Sequence, residues 1–178
     1  MTISSSPSRR PAAGFTLYEV IIVLMVLLLV SAVVVPSFTG FLPAVRVRKA
    51  GDELMAAFSK ARTDAVLTAR RFRVVFTKDP AAYRIDFEPD PMNEPSTFRR
   101  LSGEWGAANE LPVGVIFTKL EGTAPDPETS EDCLEFSTDG TAPAATIVLG
   151  HENGDEVTIE IDPADGRARV VEPEEETP

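Results

Sequence analysis

One cysteine and one histidine in 178 residues leave little room for metal or thiol chemistry. A lone cysteine excludes a disulfide framework and any cysteine-rich zinc module. A lone histidine disfavours histidine-based metal sites and catalytic triads. Aromatic residues make up only 7% of the chain, with a single tryptophan, and 17 basic residues face 28 acidic ones. The formal charge of −11 argues against nucleic acid as a partner. The 43% hydrophobic content is ordinary for a folded chain and excludes wholesale disorder. The length suits one domain of the usual ~100–200 residues.

Charge is distributed unevenly. Residues 1–14 carry Arg9 and Arg10 and no acid, and residues 15–39 hold one charged side chain, Glu19. Residues 40–73 contain eight basic residues against three acidic ones, a net of +5, whereas 74–178 carry −17. A basic leader, an apolar rod, a basic stalk and an acidic body follow one another, as in a molecule that meets different surroundings along its length.

The rod reads VIIVLMVLLLVSAVVV from Val20 to Val35, with Ser31 its only polar residue. Counted from Phe15, it is about 31 Å long as a helix, roughly the thickness of a bilayer's hydrocarbon core. A cleaved secretory signal is the simplest alternative, but the run exceeds the usual ~7–15 residues and no small-x-small site follows it. A retained anchor is therefore favoured. Arg9 and Arg10 place the N-terminus on the cytoplasmic side and send the rest outward. Glu19 is the anomaly, because a carboxylate at the start of a membrane helix is costly and usually functional. The plainer reading is a glutamate at the interface that merely begins the helix.

Gly14-Phe15-Thr16-Leu17-Tyr18-Glu19, followed at once by the apolar run and by Pro36, resembles the cleavage and methylation motif of type IV prepilins and type II secretion pseudopilins. The resemblance implies that a prepilin peptidase cuts between Gly14 and Phe15 and methylates the new amine of Phe15. It implies that Glu19 pairs with the amine of a neighbouring subunit as helices stack into a filament, with Pro36 at a position where many pilins carry proline. Glu19 is then an assembly and register residue, since a charge pair strengthens and an unpaired charge is penalised at low dielectric. The implied partners are the prepilin peptidase, other pseudopilins or pilins through the N-terminal helix, the inner membrane, and exported proteins.

Pro36 and Pro43 are expected to interrupt the rod. Beyond them Ala50, Leu54, Phe58, Ala61, Ala65 and Ala69 form one apolar stripe at helical spacing, the core-facing side of an amphipathic helix. From Phe72 the period becomes two. FRVVFT and YRIDFE form a hairpin with one buried face, and the loop EPDPMNEPS follows. VGVIFTKLE, LEFSTDG, TIVLGH, EVTIEID and RARVV complete about seven strands, with tight turns at Asn153-Gly154 and Asp165-Gly166. The stretches LPVGV, FSTDG and ADGR with their following strands are similar to the GspH/FimT group of minor pseudopilins; residues 88–108, with Trp105, match nothing in it. The fold class is α+β and pilin-like: a long N-terminal helix, its first half transmembrane, packed on a small antiparallel β domain. The segments are a leader at 1–14, a transmembrane helix at 15–36, its amphipathic continuation at 37–71, a periplasmic β domain at 72–171 and a disordered acidic tail at 172–178.

No enzyme constellation, cofactor site or metal site emerges. His151 reads as a surface loop residue. Cys133 reads as a buried thiol whose acidic neighbours Glu131, Asp132 and Glu135 raise its pKa. Glu160, Asp162 and Asp165 are a set of carboxylates of the kind that binds calcium, but they do not fit an EF-hand loop. Ser137, Thr138 and Asp139 lack a histidine base, and the Asp139-Gly140 pair is explained by turn geometry. Arg99-Arg100 is a small basic patch against the −17 body. The sequence thus points to a minor pseudopilin of a type II secretion system. A minor type IV pilin for motility or DNA uptake, or a membrane-tethered module that forms no filament, are the alternatives.

Overall fold

The computed structural model describes residues 16–171 except 40 and 128, and no side chains at 32–39 or 41. The leader and the acidic tail lie outside the described residues. The chain divides after residue 40 into two units.

The first unit is helix α1, Leu17–Thr39. Its described hydrophobic side chains, Leu17 to Val30, are all at least 43% exposed. The Ser31 hydroxyl donates to Leu27 O at 2.7 Å, so the one polar side chain of the run is satisfied by its own helix. Among the described residues no helix is long and apolar enough to cross a membrane.

The second unit opens with α2, Phe41–Thr68. The two prolines expected to interrupt the rod both fall inside helices. Pro43 stands in the first turn of α2, where its missing N–H would have had no intrahelical acceptor. The predicted stripe is buried from Ala50 to Ala65, with Val47 and Ala57 added to it. Ala69 departs from it: it is exposed, with a φ of 49°, and ends the helix. Arg70 N–H reaches back to Ala65 O at 3.3 Å, the long bond of a Schellman cap, with alanine in the position that usually takes glycine.

Among the described residues ten strands follow, all paired antiparallel. They are β1 Phe72–Lys78, β2 Ala81–Phe87, β3 Arg99–Arg100, β4 Asn109–Glu110, β5 Val115–Glu121, β6 Ala124–Pro125, β7 Asp132–Phe136, β8 Ala145–His151, β9 Glu156–Ile161 and β10 Ala168–Val171. Seven match the predicted strands; the three two-residue strands β3, β4 and β6 are too short to leave a period in the sequence. One sheet runs β3-β2-β1-β7-β6 with β4 also on β2, and the other runs β10-β9-β8-β5. Helix α2 packs on both, chiefly on β1, β8 and β9. Phe58 of α2 meets Phe76 and Phe136 at 6.2 and 6.3 Å between ring centroids, and Phe76 meets Phe117 of the second sheet at 5.4 Å. One aromatic cluster therefore joins helix and both sheets.

The two aspartate-glycine turns also come together. A Cβ on Gly166 would lie 2.1 Å from Gly140 O, and one on Gly140 would lie 2.8 Å from Val66 of α2. Both glycines have positive φ, so glycine is required there for conformation and for space. Beside them Arg62 Nε donates to Asp165 O at 2.6 Å, tying α2 to the β9–β10 turn.

Candidate functional site

Gly14 and Phe15, the implied processing residues, lie outside the described residues, and Pro36 is described only as helical backbone. Glu19 is placed. Its Oε2 accepts from Thr16 N–H and from the Thr16 hydroxyl, each at 3.0 Å, while Glu19 N–H donates to Thr16 Oγ1 at 3.2 Å. This is a reciprocal capping box: Thr16 begins α1 and the glutamate three residues later closes it. The Thr-x-x-Glu spacing was readable in the sequence as a helix start, which the prepilin resemblance overshadowed. Thr16 and Glu19 are both exposed, so in this chain the carboxylate satisfies donors at its own helix terminus.

The β1–β2 hairpin was expected to expose one face. Instead, residues on that outer face, Arg84, Asp86 and Glu88, are buried beneath the loops around residues 88–98 and 126–131. Arg73 pairs with Asp86 at 3.3 Å and with Asp126, and its guanidinium lies 4.2 Å from the ring centroid of Phe98. Arg84 reaches Glu131 through two bonds of 2.6 and 3.0 Å. Arg71 forks onto Glu88 at 2.5 and 2.7 Å and contacts Glu135 at 3.0 Å, while Ser96 N–H donates to Glu88 at 2.6 Å. Arg73 Nε, Arg84 Nε and Asp86 Oδ1 have no hydrogen-bond partner among the described residues. Buried charges persist only when paired, and here alternating arginines and carboxylates fasten both loops to the sheet. Such a lattice holds the loops to the sheet.

The network has a pH signature. The Arg84 hydrogen bonds, with help from Thr77, hold the Glu131 carboxyl at about 2, against a desolvation that pushes the other way. Arg71 likewise lowers Glu88. Groups lowered on folding stabilise above their unfolded pKa of about 4.5, and the benefit is lost as pH falls toward the folded value. The urea midpoint should therefore drop between pH 4.5 and 2. Glu131 alone, being partly open to solvent, accounts for on the order of 2 kcal/mol. A Glu131→Gln variant showing the same acid slope would refute this assignment.

The remaining candidates resolve individually. Cys133 is half-buried in β7, not fully buried. Its thiol is 3.1 Å from Ala124 O, and burial raises its pKa more than the neighbouring carboxylates do. His151 ends β8 and is half-buried, not a loop residue; a Cβ on Gly114 would lie 2.4 Å from its Nε2, and its Nδ1 accepts from Asn153 N–H at 3.3 Å. Asp139, Asp162 and Asp165 each accept a backbone N–H two residues ahead at 2.9 Å, which makes them turn residues. Glu160 is exposed on β9, and Ser137 and Thr138 belong to the turn after β7. Arg99 pairs with Glu94 at 3.1 Å, leaving the Arg99-Arg100 patch partly neutralised. The segment 88–108, without an assigned role in the sequence, carries β3, a single 3-10 turn at Glu104–Gly106 and part of the cover over the charge network.

No protein-family model and no curated protein matches the chain. Two solved structures do. The minor pseudopilin EpsH of the type 2 secretion system of Vibrio cholerae matches with a TM-score of 0.55 at 13% identity, over 73% of this chain and 99% of EpsH. The type IV minor pilin FimU of Pseudomonas aeruginosa matches with a TM-score of 0.47 at 19% identity, over 74% of this chain and 92% of FimU. At such identities the likeness concerns architecture. The fold of this chain is accordingly pilin-like: the helix α2 packed on antiparallel sheets.

Proposed function

We propose that the chain is a minor pseudopilin of a type II secretion system, a subunit of a short periplasmic filament that assists export of folded proteins. The observation that carries this reading is a conjunction. A Gly-Phe-Thr-Leu-Tyr-Glu motif and an apolar run stand directly ahead of a body folded like EpsH. In this reading residues 15–36 anchor the chain in the inner membrane with the β domain in the periplasm, and the protein is a structural subunit, not an enzyme. Prepilin peptidase removes residues 1–14 and methylates Phe15. The new amine then stands four residues from the glutamate, about 6 Å along the helix.

The capping box adds a mechanistic step. Before assembly Glu19 is occupied by Thr16 of its own chain. On assembly it exchanges these local donors for the charged amine of a neighbour, a stronger partner in a dry environment. Exchange in place of exposure keeps the carboxylate satisfied at both stages.

Intact mass and N-terminal sequencing of protein from native membranes test the reading. We expect a chain beginning at N-methylated Phe15 that co-purifies with other pseudopilins, and at least a tenfold loss of that association for Glu19→Ala with membrane insertion retained. A chain retaining Met1, or one beginning elsewhere than Phe15, would overturn it. Association with pilus subunits in place of secretion components would move the assignment to a type IV pilus.

A further inference from the structure

Where the chain enters its second unit, apolar side chains face outward on two elements. Leu42 and Val45, on the first turns of α2, are 50% and 44% exposed; Val113, just before β5, is 85% exposed, and Ile116 of β5 is 52% exposed. The Val113 site is a built turn. Val115 N–H donates to Pro112 O at 2.9 Å and Gly114 has a φ of 85°, which puts valine at the first corner of a type II turn. Both ends of the turn are fixed: Leu111 N–H donates to Ala81 O at 2.8 Å, and Val115 is buried in the core. Arg46 Nη1 donates to Val113 O at 3.5 Å, so the turn and the start of α2 share one end of the body. A fixed turn that holds an aliphatic side chain outward, where proline or a polar residue is usual, marks a contact surface.

Charge singles out the same end. Residues 40–51 carry Arg46, Arg48 and Lys49 and no acid, and residues 111–118 carry no charge. Among the described residues Arg46 and Arg48 have no ion-pair partner, and Lys49 meets only the exposed Glu53, at 3.5 Å. Residues 74–178 sum to −17, and these acids include Glu110 beside Leu111 and Glu152 beside His151. Facing an acidic surface, such a molecule turns the start of α2 toward it and its acidic bulk away.

We propose that this end of the body rests on the acidic phospholipid headgroups of a bilayer, with Leu42, Val45 and Val113 entering the interface and Arg46 and Arg48 meeting phosphate. Aliphatic tips flanked by arginine match a layer that is anionic at its surface and apolar beneath. The inference rests on the proposed membrane anchoring of residues 15–36. Leu42 then follows Val35 by a tether of no more than about 25 Å, even fully extended. Lipid is therefore present at this end at a high effective concentration, as a free protein partner is not.

Two full-length chains with one tryptophan each test it, Trp105→Phe/Val113→Trp and Trp105→Phe/Met92→Trp. Met92 is 91% exposed in the loop after β2, which Arg71 holds just past the other end of α2. Any general preference of indole for lipid acts on both chains. Both sites are exposed, so the fold is retained, as circular dichroism checks. The chains are reconstituted into vesicles of equal parts phosphatidylglycerol and phosphatidylcholine brominated on the upper acyl chain. We expect bromine to quench the indole at position 113 at least twofold and that at position 92 not at all. Adding Arg46→Gln/Arg48→Gln, or using phosphatidylcholine alone, should relieve at least half of the quenching. Equal quenching at the two positions, none at 113 in a chain that floats with the vesicles, or quenching that ignores lipid charge or the arginines would each overturn the proposal. A blue-shifted but unquenched indole at 113 would replace lipid with a neighbouring polypeptide. A chain that does not float with vesicles overturns the anchor, and this inference with it.

Discussion

Replacing Arg73 with leucine should destabilise the body by about 3–5 kcal/mol, because it strips the shared cation from two buried carboxylates. Asp86 and Asp126 are 4% and 4% exposed, and Arg73 lies between them under the ring of Phe98. Without it Asp86 keeps Arg84 at 3.4 Å, and Asp126 keeps the Thr129 N–H at 3.0 Å. Arg84 is already shared with Glu131, and the Thr129 N–H carries no full charge. Urea unfolding of the chain in neutral detergent measures the loss. Adding Asp126→Asn to the same variant removes one of the two carboxylates that lose Arg73 while preserving an acceptor for Thr129, and should recover about 1–2 kcal/mol. An Arg73→Leu variant within 1 kcal/mol of wild type would mean that the loops, not the ions, hold that face closed.

Phe58→Ala is the second large effect. The side chain is 1% exposed and touches rings in β1 and β7, so truncation opens a cavity where helix and sheet meet. Such substitutions cost about 3–5 kcal/mol, with the spread set by how far the surroundings collapse. Phe58→Leu should recover more than half of this by refilling the volume. Equal losses for alanine and leucine would show that edge-to-face ring contacts, worth only about 0.5–1.5 kcal/mol in general, dominate here. The thermal midpoint should fall by roughly 10 °C for the alanine variant.

These two positions also show what was legible in the sequence. Phe58 was evident from spacing alone, because a helical stripe repeats locally and the body needs a buried face. Tyr83, Ile85 and Phe87 were equally clear as one face of a strand. Arg84, Asp86 and Glu88, at the alternate positions, look like a solvated face. Alternation reports the chemistry of a strand's two sides but not whether something covers them. The cover comes from Phe98, Asp126 and Glu131, which lie in proline-rich polar segments with no period of their own. The stripe ends before its spacing does for a related reason: Ala69 continues the spacing, but the chain has already turned left-handed there. The Thr16–Glu19 box, by contrast, could have been read directly.

The bond from Arg62 to Asp165 spans 103 residues. Helix α2 leaves the ribosome early, while β8, β9 and β10, which cover much of its buried stripe, leave last. Until they arrive, Leu54, Phe58 and their neighbours have no complete partner surface, and long-range closure must precede any gain from packing. The body is therefore a fold that checks its own completeness. A chain truncated before Gly166 loses the turn that locks onto Gly140 and Arg62, and presents an apolar helix to the cell's quality control in place of a finished subunit.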